Sequence, residues 1–305
     1  MRILLTGASS FTGCWFARGL AEAGHDVTAT FRAGSYAGVR GRRLELLDGT
    51  CERRHGLAFG DAGFVELARS RDWDLLCVHG AEVTDYRSPA FDVAAALAAN
   101  TRAAGEVVER FPRVLVTGSV FEPGEGEGDE VLEAFSPYGL SKSFTAETFR
   151  YHCRIKGVSF GKFVIPNPFG PFEDERFTTS LVRSWRRGER PSVRTPDYIR
   201  DNVHVSLLSL AYADFAGRMP VGGWSGRLAV SGYRESQGEF ARRFADEIGA
   251  RLGIEAPLEL GVQSEWLEPA VRLNRDRIDG AALGWHESVA WGELAAYYSD
   301  LPDPG

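Results

Sequence analysis

The chain lacks the features that mark secreted, membrane-spanning and redox proteins. Its four cysteines (Cys14, Cys51, Cys77 and Cys153) are scattered and form no CxxC pair, so we expect reduced, mostly buried thiols in a cytoplasmic protein. No apolar run reaches the roughly 18 residues of a membrane-spanning helix. The opening MRILL is too short for a signal peptide. These absences predict a protein with neither disulfides nor a membrane partner.

Positive charge and metal-ligand spacing are also missing. The net charge is -7, which leaves no basic field to attract nucleic acid. The acidic, glycine-rich stretch EPGEGEGDE (122–130) has no metal-ligand spacing, so we predict a flexible solvated loop there and no metal site. At 305 residues, the chain is long enough for a large domain and a smaller one.

The first part of the chain alternates short apolar runs with longer amphipathic segments. Strands are predicted at 2–6, 26–30, 57–59, 74–79, 113–118 and 159–165, and helices at 12–24 and 88–111. Strands that alternate with helices indicate a parallel sheet covered on both faces, and such strands are continuously apolar. The fold class predicted is therefore α/β, with a Rossmann-type doubly wound parallel sheet in residues 1–167.

The sequence pattern changes after the Pro- and Phe-rich stretch PNPFGPFEDERF (166–177). Helices are predicted at 177–188, 235–252 and 288–299, and a loop and short strand that lead into a helix are predicted within 194–215. We interpret residues 168–305 as a smaller α/β substrate-binding domain that is partly interleaved with the first.

A glycine-rich turn follows the first predicted strand. In LLTGASSFTG (4–13), Gly7 and Gly13 hold the outer positions of the dinucleotide-binding pattern, and Ser10 stands at the middle position, which is usually glycine. Such a turn lets the backbone approach a pyrophosphate, and the free N–H groups of the following helix bind it. The context of strand, turn and helix predicts a dinucleotide site.

The end of the second strand bears on which dinucleotide is bound. NAD sites usually present an acidic residue to the ribose there, but TATFRAGS (28–35) has none and carries Arg32. A guanidinium suits a 2′-phosphate, so NADP is favoured, with NAD as the alternative. Arg32 is otherwise an ordinary loop charge, since VRGRR (39–43) shows that this region is rich in arginine.

The stretch SPYGLSK (136–142) predicts the start of a helix with chemistry on one face. Ser136 can cap the helix and Pro137 suits its first position, which places Tyr138 and Lys142 at i and i+4. A nearby cation favours the phenolate, so we expect Lys142 to lower the pKa of Tyr138. The same lysine can reach the ribose hydroxyls of a cofactor. The alternative is a chance pair on a solvated helix.

Several motifs together resemble the extended short-chain dehydrogenase/reductases of the nucleotide-sugar epimerase, dehydratase and reductase group. TGASSFTG is similar to that family's TGxxGFxG, and SPYGLSK carries its YxxxK. The other similar stretches are GD (60–61), VHGAE (78–82), AANTRAAGEVVE (98–109), FVIPNPFGP (163–171), RDNVHVSLL (200–208) and ALGW (282–285). The resemblance covers nearly the whole chain.

The resemblance implies roles for residues around the cofactor. Tyr138 would be the catalytic acid/base and Lys142 its partner, which also binds the cofactor. The hydroxyl that completes the set would be Thr117, with Ser119 as the second candidate. The implied cofactor-binding residues are Gly7, Ser10, Phe11, Gly13, Arg32, Asp61 (facing the adenine), Asn100 (supporting the site) and Lys142.

The family holds a nucleoside diphosphate sugar in the C-terminal half. The matching residues are Asn167 and Arg200, the latter at a phosphate; Arg272 is only a loose candidate for a second family arginine. The resemblance also implies a homodimer, formed through the helices within 88–111 and 137–156.

The two residues directly after Thr117 narrow the choice of reaction. Sugar 4,6-dehydratases carry an acidic residue there, whereas this chain has Gly118 and Ser119, so dehydration of that type lacks its base. We expect hydride transfer at a sugar carbon by a ketoreductase, since Arg32 favours an exchangeable phosphorylated cofactor. The main alternative is a nucleotide-sugar 4-epimerase; a dehydratase and a non-catalytic NADP-binding sensor on the same fold are the less favoured ones.

Overall fold

A computed structural model of the chain describes residues 1–128 and 132–301. The strands of the nucleotide-binding part are β1 (Arg2–Thr6), β2 (Asp26–Phe31), β3 (Glu52–His55), β4 (Leu75–Val78), β5 (Arg113–Ser119), β6 (Ser159–Ile165) and β7 (Asn167–Phe169). The later strands are β8 (Ser192–Val193), β9 (Ile199–His204), β10 (Ser225–Ser231), β11 (Tyr233–Ser236), β12 (Glu259–Leu260), β13 (Val271–Arg272) and β14 (Asp276–Arg277).

The helices begin with α1 (Phe11–Glu22), α2 (Gly38–Glu45), α3 (Ala62–Arg69), α4 (Val93–Asn100), α5 (Ala104–Val108) and α6 (Pro137–Lys156). They continue with α7 (Phe177–Arg186), α8 (Val205–Arg218), α9 (Gln237–Leu252) and α10 (Glu287–Ser299), and a short 3-10 turn covers Ala281–Leu283. No helix of this part of the chain is long and apolar enough to cross a bilayer.

The central sheet has eight parallel strands in the order β14-β10-β6-β5-β4-β1-β2-β3. Residues of β5 alternate between two cores: Leu115 belongs to the core with α1 and α8, and Val114 and Val116 to the core with α5 and α6. The strands are therefore apolar on both faces because helices cover both faces. This confirms the Rossmann-type α/β fold predicted from the sequence.

The strand predicted at 57–59 is wrong. The structure forms β3 earlier, at Glu52–His55, where it pairs with β2 at the edge of the sheet. An edge strand can carry charged side chains, so ERRH does not show the apolar pattern used for the prediction. Phe59 is instead a loop residue whose ring packs 5.0 Å from that of Phe64 and 5.5 Å from that of Phe149.

The long helix predicted at 88–111 is also wrong, because the structure divides it into α4 and α5. Asp92 caps α4 by accepting a hydrogen bond from the Ala95 N–H. The hydroxyl of Thr101 donates back to the Leu97 carbonyl at 2.7 Å, and Ala103 adopts a left-handed backbone with a φ of 52°. The helix therefore stops and restarts within three residues.

The prediction of a solvated loop at 122–130 is wrong for two of its carboxylates, although Pro123, Gly124 and Gly128 are exposed. Glu122 is fully buried and Glu125 is 6% exposed; residues 129 and 130 lie outside the described residues. Composition misled here because Lys162, a buried cation from a distant part of the chain, donates to both carboxylates.

Residues after 168 return to the main sheet while forming a smaller sheet of their own. Strand β9 is the centre of that smaller sheet and pairs with β7, β11 and β13. Strands β10 and β14 join the central sheet, and α8 packs on α1, where Phe16 and Tyr212 stack with ring centroids 4.0 Å apart. The boundary at 168 stays a prediction.

Arg43 connects the glycine turn to the start of the second half. Its buried guanidinium donates to the Phe172 carbonyl at 2.7 and 2.9 Å and to the Ser9 carbonyl at 3.3 Å, and it pairs with Asp174 at 2.9 Å. Phe172 has a φ of 67°, which is uncommon for a bulky residue. The arginine-rich stretch therefore includes one side chain that joins the two parts of the molecule.

Candidate active site

The glycine turn after β1 has room for backbone only. Gly7 has a φ of +77°, and a Cβ there would lie 2.6 Å from the Cα of Gly80. A Cβ on Gly13 would lie 2.2 Å from the Gly7 carbonyl oxygen. Ser10 takes the middle position because its side chain points into the turn: its hydroxyl donates to the Gly7 carbonyl at 2.8 Å and accepts from the Gly13 N–H at 3.1 Å.

His79 joins this turn to the end of β5. Its Nε2 lies 3.0 Å from the Ser10 hydroxyl and 3.2 Å from that of Thr12, while its Nδ1 lies 3.0 Å from the Thr117 hydroxyl. Burial, assisted by the charge of Lys142, lowers the pKa of His79 to about 3. A neutral imidazole therefore fixes the turn relative to β5.

The turn and the first residues of α1 fit a dinucleotide. Ser10 caps α1, no acidic residue stands in its first turn, and its N-terminal amides are of the kind that bind a pyrophosphate. Phe11, the first helical residue, is buried under the Arg43 guanidinium at 5.9 Å, so it supports the turn from below.

Arg32 follows β2 and contacts a residue that follows β4. It is 61% exposed, and its Nη1 lies 3.2 Å from Glu82 Oε2. Hydrogen bonds from the Thr84 side chain and backbone and the contact with Arg32 lower the pKa of Glu82. In the sheet, β2 and β4 lie on either side of β1. The ion pair therefore lies beside the turn, where the adenosine end of a dinucleotide is expected.

Asp61 and Asn100 organise loops in this region. Asp61 caps α3 by accepting from the Phe64 N–H at 2.7 Å and also accepts from the Ala58 N–H at 2.9 Å. Asn100 accepts from the Glu82 N–H at 2.7 Å and donates to the Thr145 hydroxyl of α6 at 3.3 Å. The second bridge ties the loop after β4 to the helix that carries the tyrosine.

Helix α6 begins where SPYGLSK predicts it. Ser136 accepts from the Gly139 N–H, and Pro137 is the first helical residue. Lys142 is buried, and its ammonium donates to the Thr117 carbonyl at 2.6 Å. Tyr138 and Lys142 thus lie near the carboxyl end of β5.

An aromatic wall surrounds Tyr138. Its ring meets those of Tyr86 and Phe91 edge-on, at centroid distances of 5.3 and 6.1 Å. The Arg176 guanidinium stands 5.9 Å from the centre of the Tyr86 ring. Tyr86 and Phe91 were not identified from the sequence, because nothing in their spacing connects them with Tyr138.

The expectation that Lys142 lowers the pKa of Tyr138 is wrong for this structure. Burial raises the pKa of the phenol above its ordinary value, and the charge of Glu122 and the Tyr86 phenol add to the effect, against a lowering by Arg176. Burial also lowers the pKa of Lys142, to about 8, with Glu122 opposing and Lys162 assisting the change. Desolvation is thus the largest influence on both groups, and the Lys142 ammonium donates to the Thr117 carbonyl.

The two candidate hydroxyls lie on the same face of β5. Thr117 is buried against His79, and Ser119 is the last residue of the strand. Ser119 Oγ accepts from the Phe121 N–H at 3.2 Å. Residues two apart on a strand point the same way, so both hydroxyls face the α1 side of the sheet and both remain candidates.

The residues predicted to bind the substrate lie on β7, β9 and β13. Asn167 begins β7 and pairs in register with Asn202. Arg200 is buried: it donates to the Ile199 and Ala270 carbonyls at 2.9 and 3.0 Å and pairs with Glu268 at 3.0 Å. Arg272, only a loose candidate in the sequence, is the register partner of Arg200 on β13.

Arg272 reaches the loop between β5 and α6. It donates to the Val120 carbonyl at 2.6 Å and to the Glu133 carbonyl at 2.9 Å. Burial and the neighbouring charge of Arg200 lower the pKa of Arg272 to about 10. Arg272, beside Arg200, therefore connects the smaller sheet with the loop that precedes Tyr138.

The model of the NAD dependent epimerase/dehydratase family matches residues 3–208, which contain both the glycine turn and the Tyr138–Lys142 pair. The chain belongs to this family. It is thus a short-chain dehydrogenase/reductase-type enzyme. No curated protein sequence matches the chain significantly.

Solved structures share the family's fold over nearly the whole chain. A UDP-glucuronic acid 4-epimerase from Bacillus cereus, in complex with UDP-glucuronic acid and NAD, has a TM-score of 0.73 at 14% identity, covering 98% of this chain and 99% of its own. A UDP-N-acetylglucosamine 4-epimerase from Methanobrevibacter ruminantium M1 has a TM-score of 0.74 at 15% identity, covering 98% of this chain and 98% of its own. A dTDP-glucose 4,6-dehydratase from Streptomyces venezuelae has a TM-score of 0.69 at 18% identity, covering 98% of this chain and 97% of its own.

Proposed function

We propose that the chain catalyses NAD(P)-dependent hydride transfer at carbon 4 of a nucleoside diphosphate sugar, as a 4-epimerase. The observation that carries this proposal is the position of Tyr138 and Lys142 at the N-terminal end of α6, with Lys142 bound to the carboxyl end of β5 beside the glycine turn. Epimerisation ranks above the ketoreduction favoured by the sequence, because the similar structures include 4-epimerases of UDP-sugars.

Tyr138 is the residue that exchanges the sugar proton. A bound nicotinamide cofactor supplies the hydride chemistry, and the glycine turn, α1 and Lys142 would hold it. Tyr138 accepts the proton of the C4 hydroxyl in one direction and returns a proton to the ketone oxygen in the other. Thr117 or Ser119 provides the second hydroxyl at that oxygen, and His79 fixes the strand end from behind.

Dehydration is not favoured by the carboxylates near Tyr138. Glu122 is close enough to raise the pKa of Tyr138, but its oxygens accept from the Ser119 N–H at 2.7 Å and from Lys162 at 2.6 Å. A fully buried carboxylate held by two donors is a poor base for removing a sugar proton.

The substrate end supports an anionic ligand. Arg200 and Arg272 are two buried cations, and Glu268, the carboxylate paired with Arg200, is partly exposed. A diphosphate that replaces Glu268 would meet both guanidinium groups, which bind phosphate oxygens well.

Ketoreduction is the second candidate, and two observations favour it. The raised pKa of Tyr138 keeps the phenol protonated at neutral pH, as an acid that protonates a ketone oxygen must be. Arg32 suits the 2′-phosphate of NADP, whereas Glu82, paired with it, suits the ribose hydroxyls of NAD. We propose that this pair sets the cofactor preference, with NADP favoured if Arg32 turns to the phosphate.

A homodimer is proposed through α4 and α6. Phe144, Tyr151 and Ile155 of α6 are 45%, 53% and 54% exposed. Ala94, Ala95, Ala98 and Ala99 of the neighbouring α4 also reach the surface. An apolar face of this kind suits a second copy of the same face.

The function is tested by identifying the bound nucleotides and then the product. Nucleotides released from the purified protein are analysed by mass spectrometry, and the protein is incubated with UDP-glucose, UDP-glucuronic acid and UDP-N-acetylglucosamine. Retained NAD and formation of a C4 epimer are the expected results. Reduction of a keto sugar with NADPH, without epimer formation, would establish the ketoreductase instead.

A further inference from the structure

Lysine is scarce in this chain, and two of its lysines are buried near Tyr138. Of 35 basic residues, only Lys142, Lys156 and Lys162 are lysines. Lys156 is exposed near the end of α6, whereas Lys142 and Lys162 are 5% and 4% exposed. A buried lysine loses its proton far more readily than an arginine does. The site therefore contains two neighbouring buried ammonium groups, and the pKa of one of them, Lys142, is lowered by burial.

Glu122 connects Lys162 with the end of β5. Its Oε1 accepts from the Ser119 N–H at 2.7 Å, and its Oε2 accepts from Lys162 at 2.6 Å. Since Ser119 comes just after the backbone that Lys142 approaches, the carboxylate fixes the strand end and binds one lysine at the same time.

The carboxylate occupies the space that Gly118 leaves open. A Cβ at residue 118 would lie 2.6 Å from Cε of Lys162 and 2.8 Å from Oε1 of Glu122. Glycine at this position thus admits a carboxylate from four residues later in the chain. No acidic residue follows Thr117 directly in the sequence, but the folded chain places the Glu122 carboxylate next to this part of β5.

A second carboxylate balances the group. Lys162 also donates to Glu125 at 2.7 Å, and Glu125 pairs with Arg227 of β10 at 2.6 Å. The charges of Glu122 and Glu125 balance those of Lys162 and Arg227, so these four residues form a neutral cluster. Lys142 is then an additional positive charge near Tyr138.

We propose that Glu122 is a positioning residue of the active site: its carboxylate, placed in the space left by Gly118 and held there by Lys162, directly stabilises the protonated Lys142 beside Tyr138. This proposal rests on the proposed function for its catalytic meaning. Its electrostatic part is independent of any substrate.

The charges around Lys142 determine the expected direction. The groups that face it are Glu122 from the loop after β5, Lys162 from β6, His79 from the end of β4 and Tyr138 from its own helix. Of these, His79 is neutral, Glu122 stabilises the ammonium and Lys162 destabilises it. Loss of the Glu122 charge must therefore move the titration of Lys142 to lower pH.

The test uses the protein with its lysines labelled with ¹³C at Cε, which gives three lysine resonances and needs no substrate. Lys156→Arg assigns the resonance of the exposed lysine. The quantity measured for Lys142 is the pH at the midpoint of its titration. In Glu122→Gln we expect this midpoint to fall by about one pH unit or more from its wild-type value. The matched control is Glu125→Gln, which removes a carboxylate from the same Lys162; its midpoint for Lys142 should stay near that of the wild type.

A double variant, Glu122→Gln with Lys162→Met, removes both opposing charges and should return the midpoint toward the wild-type value. It also serves if Glu122→Gln alone does not fold. An unchanged midpoint in Glu122→Gln, an equal fall in Glu125→Gln, or a double variant that titrates well below the wild type would overturn the proposal. If the shifts appear but no sugar is turned over, the charge cluster stands and the proposed function fails.

Discussion

The two ends of the candidate site are built in different ways. The glycine-turn end consists of backbone, small side chains and a neutral His79, all within a few residues of β1 and β4. The tyrosine end consists of buried charges from distant parts of the chain: Glu122, Lys142 and Lys162, with Arg272 reaching in from β13. The geometry of the first end depends on close contact between backbone segments, and that of the second on the balance of buried charges.

This difference implies different responses to mutation. At the turn, a side chain at Gly7 or Gly13 collides with neighbouring backbone, so the effect is steric and local. At the tyrosine end, removal of one charge leaves its partner buried and unpaired, which is strongly destabilising and also shifts the titration of the remaining groups.

Tyr138→Phe should have the largest effect, and it acts at the tyrosine end only. We expect kcat to fall by about 10²–10⁴, the range for loss of a positioned acid/base, while cofactor affinity and folding barely change. Steady-state kinetics and cofactor titration measure the two quantities. Tyr151→Phe, on the exposed face of the same helix, is the control and should keep wild-type kcat.

Lys162→Met tests whether charge balance stabilises the tyrosine end. It leaves Glu122 and Glu125 buried beside each other with one fewer cation, so the free energy of unfolding should fall by about 3–5 kcal/mol. Urea denaturation measures this. Lys156→Met, at an exposed lysine, should change it by less than about 0.5 kcal/mol, and equal losses in the two variants would contradict the account.

Arg32→Ala tests the cofactor preference at the glycine-turn end. NADPH binding should weaken by about 1.5–3 kcal/mol, since a charge-assisted contact is lost, and NADH binding should hardly change. Dissociation constants for both cofactors decide this, with Arg40→Ala in the same arginine-rich region as the control. Equal losses for both cofactors would mean that Arg32 does not select the 2′-phosphate.

The smallest effect on chemistry is expected from the exposed face of α6. Phe144→Glu combined with Ile155→Glu should turn a dimer into a monomer in sedimentation experiments, because two charges enter an apolar interface. Val262→Glu, at a residue that is 95% exposed in another region, should leave the mass unchanged. A wild-type monomer would remove the proposed interface.

The sequence predicts the local features of the site better than its long-range contacts for a physical reason. The turn, the cap at Ser136 and the Tyr138–Lys142 spacing are set by neighbours in the chain, so a local pattern is enough. The ion pair between Glu122 and Lys162 and the register contact between Arg200 and Arg272 depend on how distant strands align in the sheets. The edge strand β3 escapes prediction for a similar reason, because pairing with β2 rather than its apolar content makes it a strand.

The most direct measurement of the central claim tracks deuterium at carbon 4 of a UDP-sugar that the protein converts. The proposed hydride transfer, with Tyr138 moving only the hydroxyl proton, predicts that the deuterium stays on carbon 4 in the epimer and that none is lost to water. Tyr138→Phe should form this product more slowly by a factor of about 10²–10⁴. Loss of the label to solvent, or conversion by Tyr138→Phe at the wild-type rate, would contradict the account.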